Sequence, residues 1–246
     1  MKRAQLSIFI LIGLFILLII GFFVFFSQSE IEQNTIETAT PIQVYVEQCI
    51  QDIGNDAINY LSLQGGYYKT PSPYYTFGFY NIPYYYYENN SLVPTQQDIE
   101  EQLGYYINQK MPNCIDNFTA FTSQGYNIST GSLKTTVSLK EDRVVFSVYY
   151  PLIIKQNVQT TTYTQFTAEV MSSLHLATTI TQEIIEFHDT DANMPLSKIT
   201  KLSEKYNVSM NLGNFNDTVI YAIALPDQKP SVFMFAVKYS WGETGE

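Results

Sequence analysis

From Leu6 to Phe26 the chain carries 18 Leu, Ile, Phe or Val among 21 residues, broken only by Ser7, Gly13 and Gly21 and free of charge. As an α-helix rising about 1.5 Å per residue, this run would reach about 31 Å, the thickness of a bilayer's hydrocarbon core. At about 0.4 kcal/mol per large apolar residue, insertion is favoured by about 7 kcal/mol. The expectation is an N-terminal transmembrane helix over residues 1–26, with Leu6, Phe9, Leu14, Leu18, Phe22 and Phe26 as anchor residues. Lys2 and Arg3 precede the run, and no Lys or Arg follows before Lys69. That asymmetry puts the N-terminus in the cytoplasm and the C-terminal domain outside the cell membrane. A core helix of a soluble protein is rarely uncharged for so long. A cleaved secretory signal would have a shorter apolar region and small residues that Phe25-Phe26-Ser27-Gln28-Ser29 lacks.

All 23 acidic residues and all but two of the 13 basic ones lie beyond Phe26. Such an acidic surface repels nucleic acid, which argues against it as a partner. Only 15% of the chain is charged, so solubility rests on Thr, Ser, Asn, Gln and Tyr, a mix common on cell-surface proteins. Asn89, Asn117, Asn127, Asn207 and Asn216 each begin an Asn-x-Ser/Thr pattern and are candidate glycosylation acceptors. Cys49 and Cys114 are the two cysteines. Outside the cell they can close one disulfide, with two buried thiols acting as small hydrophobes as the alternative.

Residues 27–40 are polar and acidic and read as a juxtamembrane stalk; residues 41–246 read as one exported domain. Apolar residues from Ile42 to Leu61 recur at helical spacing, and Gly65-Gly66 ends that helix. A capping box at Thr95 and Asp98 starts another helix, expected to stop at Pro112. Alternation predicts strands over 132–140, 143–150 and 163–170, and richness in Val, Ile and Phe predicts strands over 208–212, 218–225 and 232–239, with helices over 171–187 and 196–206. Blocks of antiparallel strands and amphipathic helices make the exported domain α+β.

Between these lies an unusual stretch: Tyr67, Tyr68, Tyr74, Tyr75, Tyr80, Tyr84, Tyr85, Tyr86 and Tyr87, punctuated by Pro71, Pro73, Gly78 and Pro83. Consecutive tyrosines and prolines suit short strands and turns. The rings can alternate between core and surface, face the lipid headgroup layer, or form a contact surface for a protein or glycan partner.

No residue pattern in the sequence marks a catalytic residue, a metal ligand or a cofactor site. His188-Asp189-Thr190-Asp191-Ala192-Asn193 begins like a calcium loop, but Met194 replaces the turn glycine and Thr200 the bidentate glutamate. An exported hydrolase would need convergent acids, or His175 and His188 in one pocket.

Two resemblances add to this reading. Lys2-Arg3-Ala4-Gln5-Leu6-Ser7 resembles the archaeal prepilin-type (class III) signal, which implies a cut between Ala4 and Gln5 and a pilin-like filament subunit. Where that family commonly has Glu at the fifth mature position, this chain has Phe9. More widely, Val46-Glu47-Gln48-Cys49-Ile50, Leu63-Gln64-Gly65-Gly66-Tyr67, Asn81-Ile82-Pro83-Tyr84, Leu92-Val93-Pro94-Thr95 and Asn113-Cys114-Ile115 resemble uncharacterised single-pass proteins of small-genome archaea. That likeness implies a membrane-anchored exported domain with paired cysteines and brings no activity. The expected function is a non-catalytic, membrane-anchored surface protein for binding, adhesion or envelope assembly, with self-assembly as the pilin-like alternative.

Overall fold

Pro41 opens helix α1 (Pro41–Ser62), where its missing N–H is no loss. Ile42, Val46, Cys49, Ile50, Ile53, Ala57, Ile58 and Leu61 form its buried stripe. The computed structural model describes residues 40–188, 194–227 and 231–239, together with the helical positions Gly13, Ile16 and Ile19. Met1–Thr40 and Pro41–Glu246 are separate units. The second is α+β.

The expected architecture is corrected at its N-terminus. Among the described residues no helix is long and apolar enough to cross a membrane. Helix α1 has the length, at 22 residues, but Glu47, Asp52 and Asp56 interrupt it and its apolar side is spent on the core. The anchor residues Leu6, Phe9, Leu14, Leu18, Phe22 and Phe26, and stalk residues 27–39, lie outside the described residues.

Helix α2 (Gln96–Ile115) begins at the expected capping box: the Thr95 hydroxyl accepts from the Asp98 N–H, and the Asp98 carboxylate accepts from the Thr95 N–H at 2.8 Å. It does not stop at Pro112. Proline removes one helical hydrogen bond, but the last turn is held by other means. Cys114 is bonded to Cys49 of α1, and the Tyr45 hydroxyl donates to the Cys114 carbonyl at 2.7 Å. The disulfide is thus formed, and the thiol alternative falls.

Two sheets follow. The first holds β1 (Tyr74–Phe77), β2 (Tyr80–Tyr87), β3 (Asn90–Ser91), β8 (Ser209–Phe215), β9 (Thr218–Leu225) and β10 (Ser231–Lys238), in the order β1-β2-β10-β9-β8 with β3 also on β2. It is mixed: β2 and β10 run parallel, because β2 arrives from the other end of the chain rather than through a hairpin. The second sheet is antiparallel. Strand β6 (Arg143–Gln156) pairs with β7 (Gln159–Met171) on one side, and on the other with β4 (Asn127–Thr130) and β5 (Lys134–Leu139) end to end. The strand expected over 143–150 continues past Pro151 to Gln156. Pro151 falls at the gap between β4 and β5, where the register with β7 shifts and its carbonyl accepts from Gly131 N–H at 2.7 Å. A proline there costs no regular ladder bond.

Helix α1 lies against α2, β7 and β10, and α2 against β5. Helix α3 (Leu174–His188) lies on β2 and β9, and α4 (Leu196–Tyr206) on α3 and β8. One large core joins both sheets to these helices. A smaller cluster, Ile82, Tyr84, Ile220 and Ala236, occupies the other face of the mixed sheet.

Candidate partner-binding surface

The nine tyrosines expected to form a surface are divided by the fold. Strand β2 slips in register against β10 between Tyr84, opposite Ala236, and Tyr86, opposite Val237. The extra residue, Tyr85, is a bulge that breaks simple alternation. Tyr85 and Tyr86 therefore both enter the main core, while Tyr84 and Tyr87 belong to the opposite face. Tyr85 stacks on Phe235 at 5.0 Å, and Phe235 stacks on Tyr221 at 4.8 Å. The Tyr85 hydroxyl donates to the Gly65 carbonyl at 2.6 Å, and burial pushes its pKa well up. Tyr84 shares a 2.7 Å hydrogen bond with Thr218, and burial raises its pKa too. Tyr86 reaches the His188 carbonyl at 3.3 Å.

The other rings gather elsewhere, with partners that the stretch itself does not contain. Helix α1 ends when Gly66 N–H reaches back to the Leu61 carbonyl at 2.7 Å. Gly65 and Gly66 both have positive φ, 55° and 80°, the conformation glycine supplies at helix ends. The chain emerging there is pinned by two glutamines. Gln102 of α2 accepts from Tyr68 N–H at 3.0 Å; buried Gln64 donates to the Tyr67 carbonyl at 3.3 Å and accepts from Asn81 N–H at 3.4 Å.

Tyr68 is thereby set beside Tyr60 of α1 and Tyr105 and Tyr106 of α2, with ring centroids 5.9, 5.5 and 5.2 Å away. Tyr60 also meets Tyr106 at 5.8 Å and Tyr80 at 6.5 Å. These are the separations of interacting aromatic pairs. Tyr60 and Tyr105 are 37% and 39% exposed, Tyr68 and Tyr80 half-buried, and Tyr106 forms the floor. The Lys69 ammonium stands 5.2 Å over Tyr105 and that of Lys110 5.6 Å over Tyr106. Burial, then the nearby Asp56 carboxylate, raises the Tyr106 pKa, so its hydroxyl stays protonated as a hydrogen-bond donor.

Tyr67 is half-buried and packs on the main core; Tyr75 leans on Phe215 at 5.5 Å, and Tyr74 is exposed on β1. Tyr87 lies under the Lys238 ammonium at 4.8 Å. Sequence reading did not find Tyr60 and Tyr105. The available signal was an aromatic residue on the polar side of each amphipathic helix.

All five acceptor asparagines are exposed. Four of them, Asn89, Asn117, Asn207 and Asn216, have φ between 50° and 62°. Asparagine is among the side chains that best tolerate this left-handed region, so turn geometry accounts for these residues independently of any sugar.

His188 turns inward. Its Nδ1 lies 2.9 Å from the Ile184 carbonyl, an atom that only accepts, so Nδ1 carries a hydrogen, and Nε2 is hydrogen-bonded to the Tyr239 hydroxyl. Residues 189–193 of the calcium-like sequence lie outside the described residues. No family model, curated protein or solved structure matches the chain.

Proposed function

We propose that this chain is a non-catalytic protein of the cell surface that binds a protein or glycan partner. The contact is made through Tyr60, Tyr68, Tyr80, Tyr105 and Tyr106. One observation carries this reading: five rings from two helices, a loop and a strand converge on one patch, with the outer rings open to solvent. Tyrosine offers a flat apolar face and a polar tip at low entropic cost, which suits stacking on sugar rings or against protein side chains. Lys69 and Lys110 add donors at the rim. The Cys49–Cys114 bond supports an oxidising, exported location.

The test uses the full chain in detergent micelles, applied to an array of cell-surface glycans and, separately, cross-linked to intact cells. Replacing both Tyr60 and Tyr105 by Ala is expected to weaken binding about tenfold or more, as removal of aromatic anchors does. Binding unchanged in the folded double variant would overturn the proposal.

A further inference from the structure

Where α2 ends beside β4 and the β4–β5 link, the fold encloses a cavity of about 390 Å³. Met111, Ile115 and Phe118, each at most 3% exposed, form its apolar floor, and half-buried Ile128 and Leu133 complete the wall. None of the residues that line it is charged. Three polar side chains also reach the lining: Tyr150 and Thr130 each bring a hydroxyl, and Asn117 brings a carboxamide. Among the described residues none of these three groups has a hydrogen-bond partner.

The walls are braced from several sides. The Cys49–Cys114 bond and the Tyr45 hydroxyl hold the turn of α2 that follows Pro112. On the opposite side, Gly131 N–H is tied to the Pro151 carbonyl. Between them Asp116, Asn117 and Phe118 take positive φ in succession, at 45°, 50° and 57°. Aspartate and asparagine tolerate this region, but a bulky phenylalanine there is an outlier. Strain of this kind persists only where the surroundings enforce it, and it gathers at ligand clamps. Here it sets Phe118 and Asn117 side by side in the lining of one cavity.

We propose that this cavity binds an uncharged, largely apolar small molecule that carries a hydroxyl or carbonyl group. The site shares no residue with the tyrosine cluster and does not depend on it. Its volume falls within the range of about 300–1,000 Å³ usual for small-ligand sites, which pair an apolar lining with a few polar groups that fix orientation. The lining selects the chemistry. A charged ligand would give up its water and meet no counter-charge there. A pure hydrocarbon would cover the Tyr150, Thr130 and Asn117 groups and leave them unpaired. A hydroxyl or carbonyl on an apolar body satisfies both conditions. Pro112, Asn117, Thr130 and Gly131 are exposed around the buried floor, so a flat partner surface would rest on this rim and leave the floor unfilled. Because the walls are already braced, a small molecule enters with little ordering of the chain.

The probe is benzophenone, a neutral aromatic ketone, irradiated with the full chain in detergent micelles, and its adducts are located by peptide mass spectrometry. The excited carbonyl oxygen takes a hydrogen atom from a nearby C–H, and the two carbon radicals then join, so the adduct carries a hydroxyl where the ketone was. Labelling is expected to saturate at one probe per chain, on Met111 or another lining residue. Thr130→Trp, which puts a ring into the mouth, should lower that labelling about tenfold or more, the effect of overfilling a packed site. Tyr150→Phe, which removes one hydroxyl, should lower it about fivefold, the loss of one hydrogen bond. The thermal midpoint of each variant checks its fold. On the unsubstituted chain, 4-benzoylbenzoate, the same ketone bearing a carboxylate, should label the cavity about tenfold less or weaker still. Adducts that spread over the chain without saturating overturn the proposal. So does cavity labelling that either folded variant, or the added carboxylate, leaves unchanged.

Discussion

Tyr85 and Tyr60 flank the same turn, the one through Gly65, yet Tyr85 is 1% exposed and Tyr60 37%. Tyr85 is sandwiched in the core with its hydroxyl spent on the Gly65 carbonyl. Tyr60 meets the rings of Tyr68, Tyr80 and Tyr106 and stays 37% exposed. The same side chain is structural in one place and available in the other. What separates them is whether the hydroxyl already has a protein partner and whether both ring faces are covered. Tyr206 stands between the two cases: half-buried, its hydroxyl donates to Glu183 at 2.5 Å.

Truncating Tyr85 to Ala should be the costliest change, at about 4 kcal/mol, as for other large buried aromatics. In a domain of this size the thermal midpoint would fall by roughly 12 °C. A much smaller loss, measured by thermal or urea denaturation, would mean that the ring stack is not a pillar of the core.

The intermediate case is read by pH. Lys205 first, then Tyr206, hold the Glu183 carboxyl down at about 2 from an ordinary value of 4.5. A depressed carboxyl stabilises the fold above its unfolded pKa and loses that contribution as pH falls through its folded one. Partial exposure screens the network, leaving about 1 kcal/mol. The stability of Glu183→Gln should therefore lie below that of the parent at neutral pH, and the two curves should converge between 4.5 and about 2. Curves that stay parallel would remove the charge contribution.

The smallest effect belongs to the surface cluster. Replacing Tyr60 and Tyr105 together by Ala should change stability by about 1 kcal/mol or less, since each half-exposed surface position usually contributes about 0.5 kcal/mol. Denaturation of the same double variant used for binding measures it. A loss as large as that of Tyr85→Ala would make the cluster part of the core and erase the comparison.

How much of this was legible depended on the range of the interaction responsible. The buried stripe of α1 and the Thr95–Asp98 capping box are written within a few residues, and both were read from spacing alone. The strands β5, β6 and β7 followed from alternation and β8, β9 and β10 from their Val, Ile and Phe content, apart from their ends. Pro112 and Pro151 misled because each is excused by something distant: a disulfide to α1 in one case, a gap between β4 and β5 in the other. The four consecutive tyrosines gave no alternation to read, and the bulge that sorts them depends on β10, some 150 residues away. The tyrosine cluster was half visible. Its loop tyrosines stood out, whereas Tyr60 and Tyr105 reach them only through the packing of α1 on α2.

The Cys49–Cys114 bond gives the chain a second path for force. Tension applied along the backbone passes from α1 to α2 through the two sulfur atoms and bypasses residues 50–113. At about 3.4 Å per residue, roughly 220 Å of contour is withheld from extension. The rings of Tyr60, Tyr68, Tyr80, Tyr105 and Tyr106 all lie within that sheltered loop. A molecule pulled by its two ends would yield first outside this loop, with the tyrosine cluster still closed.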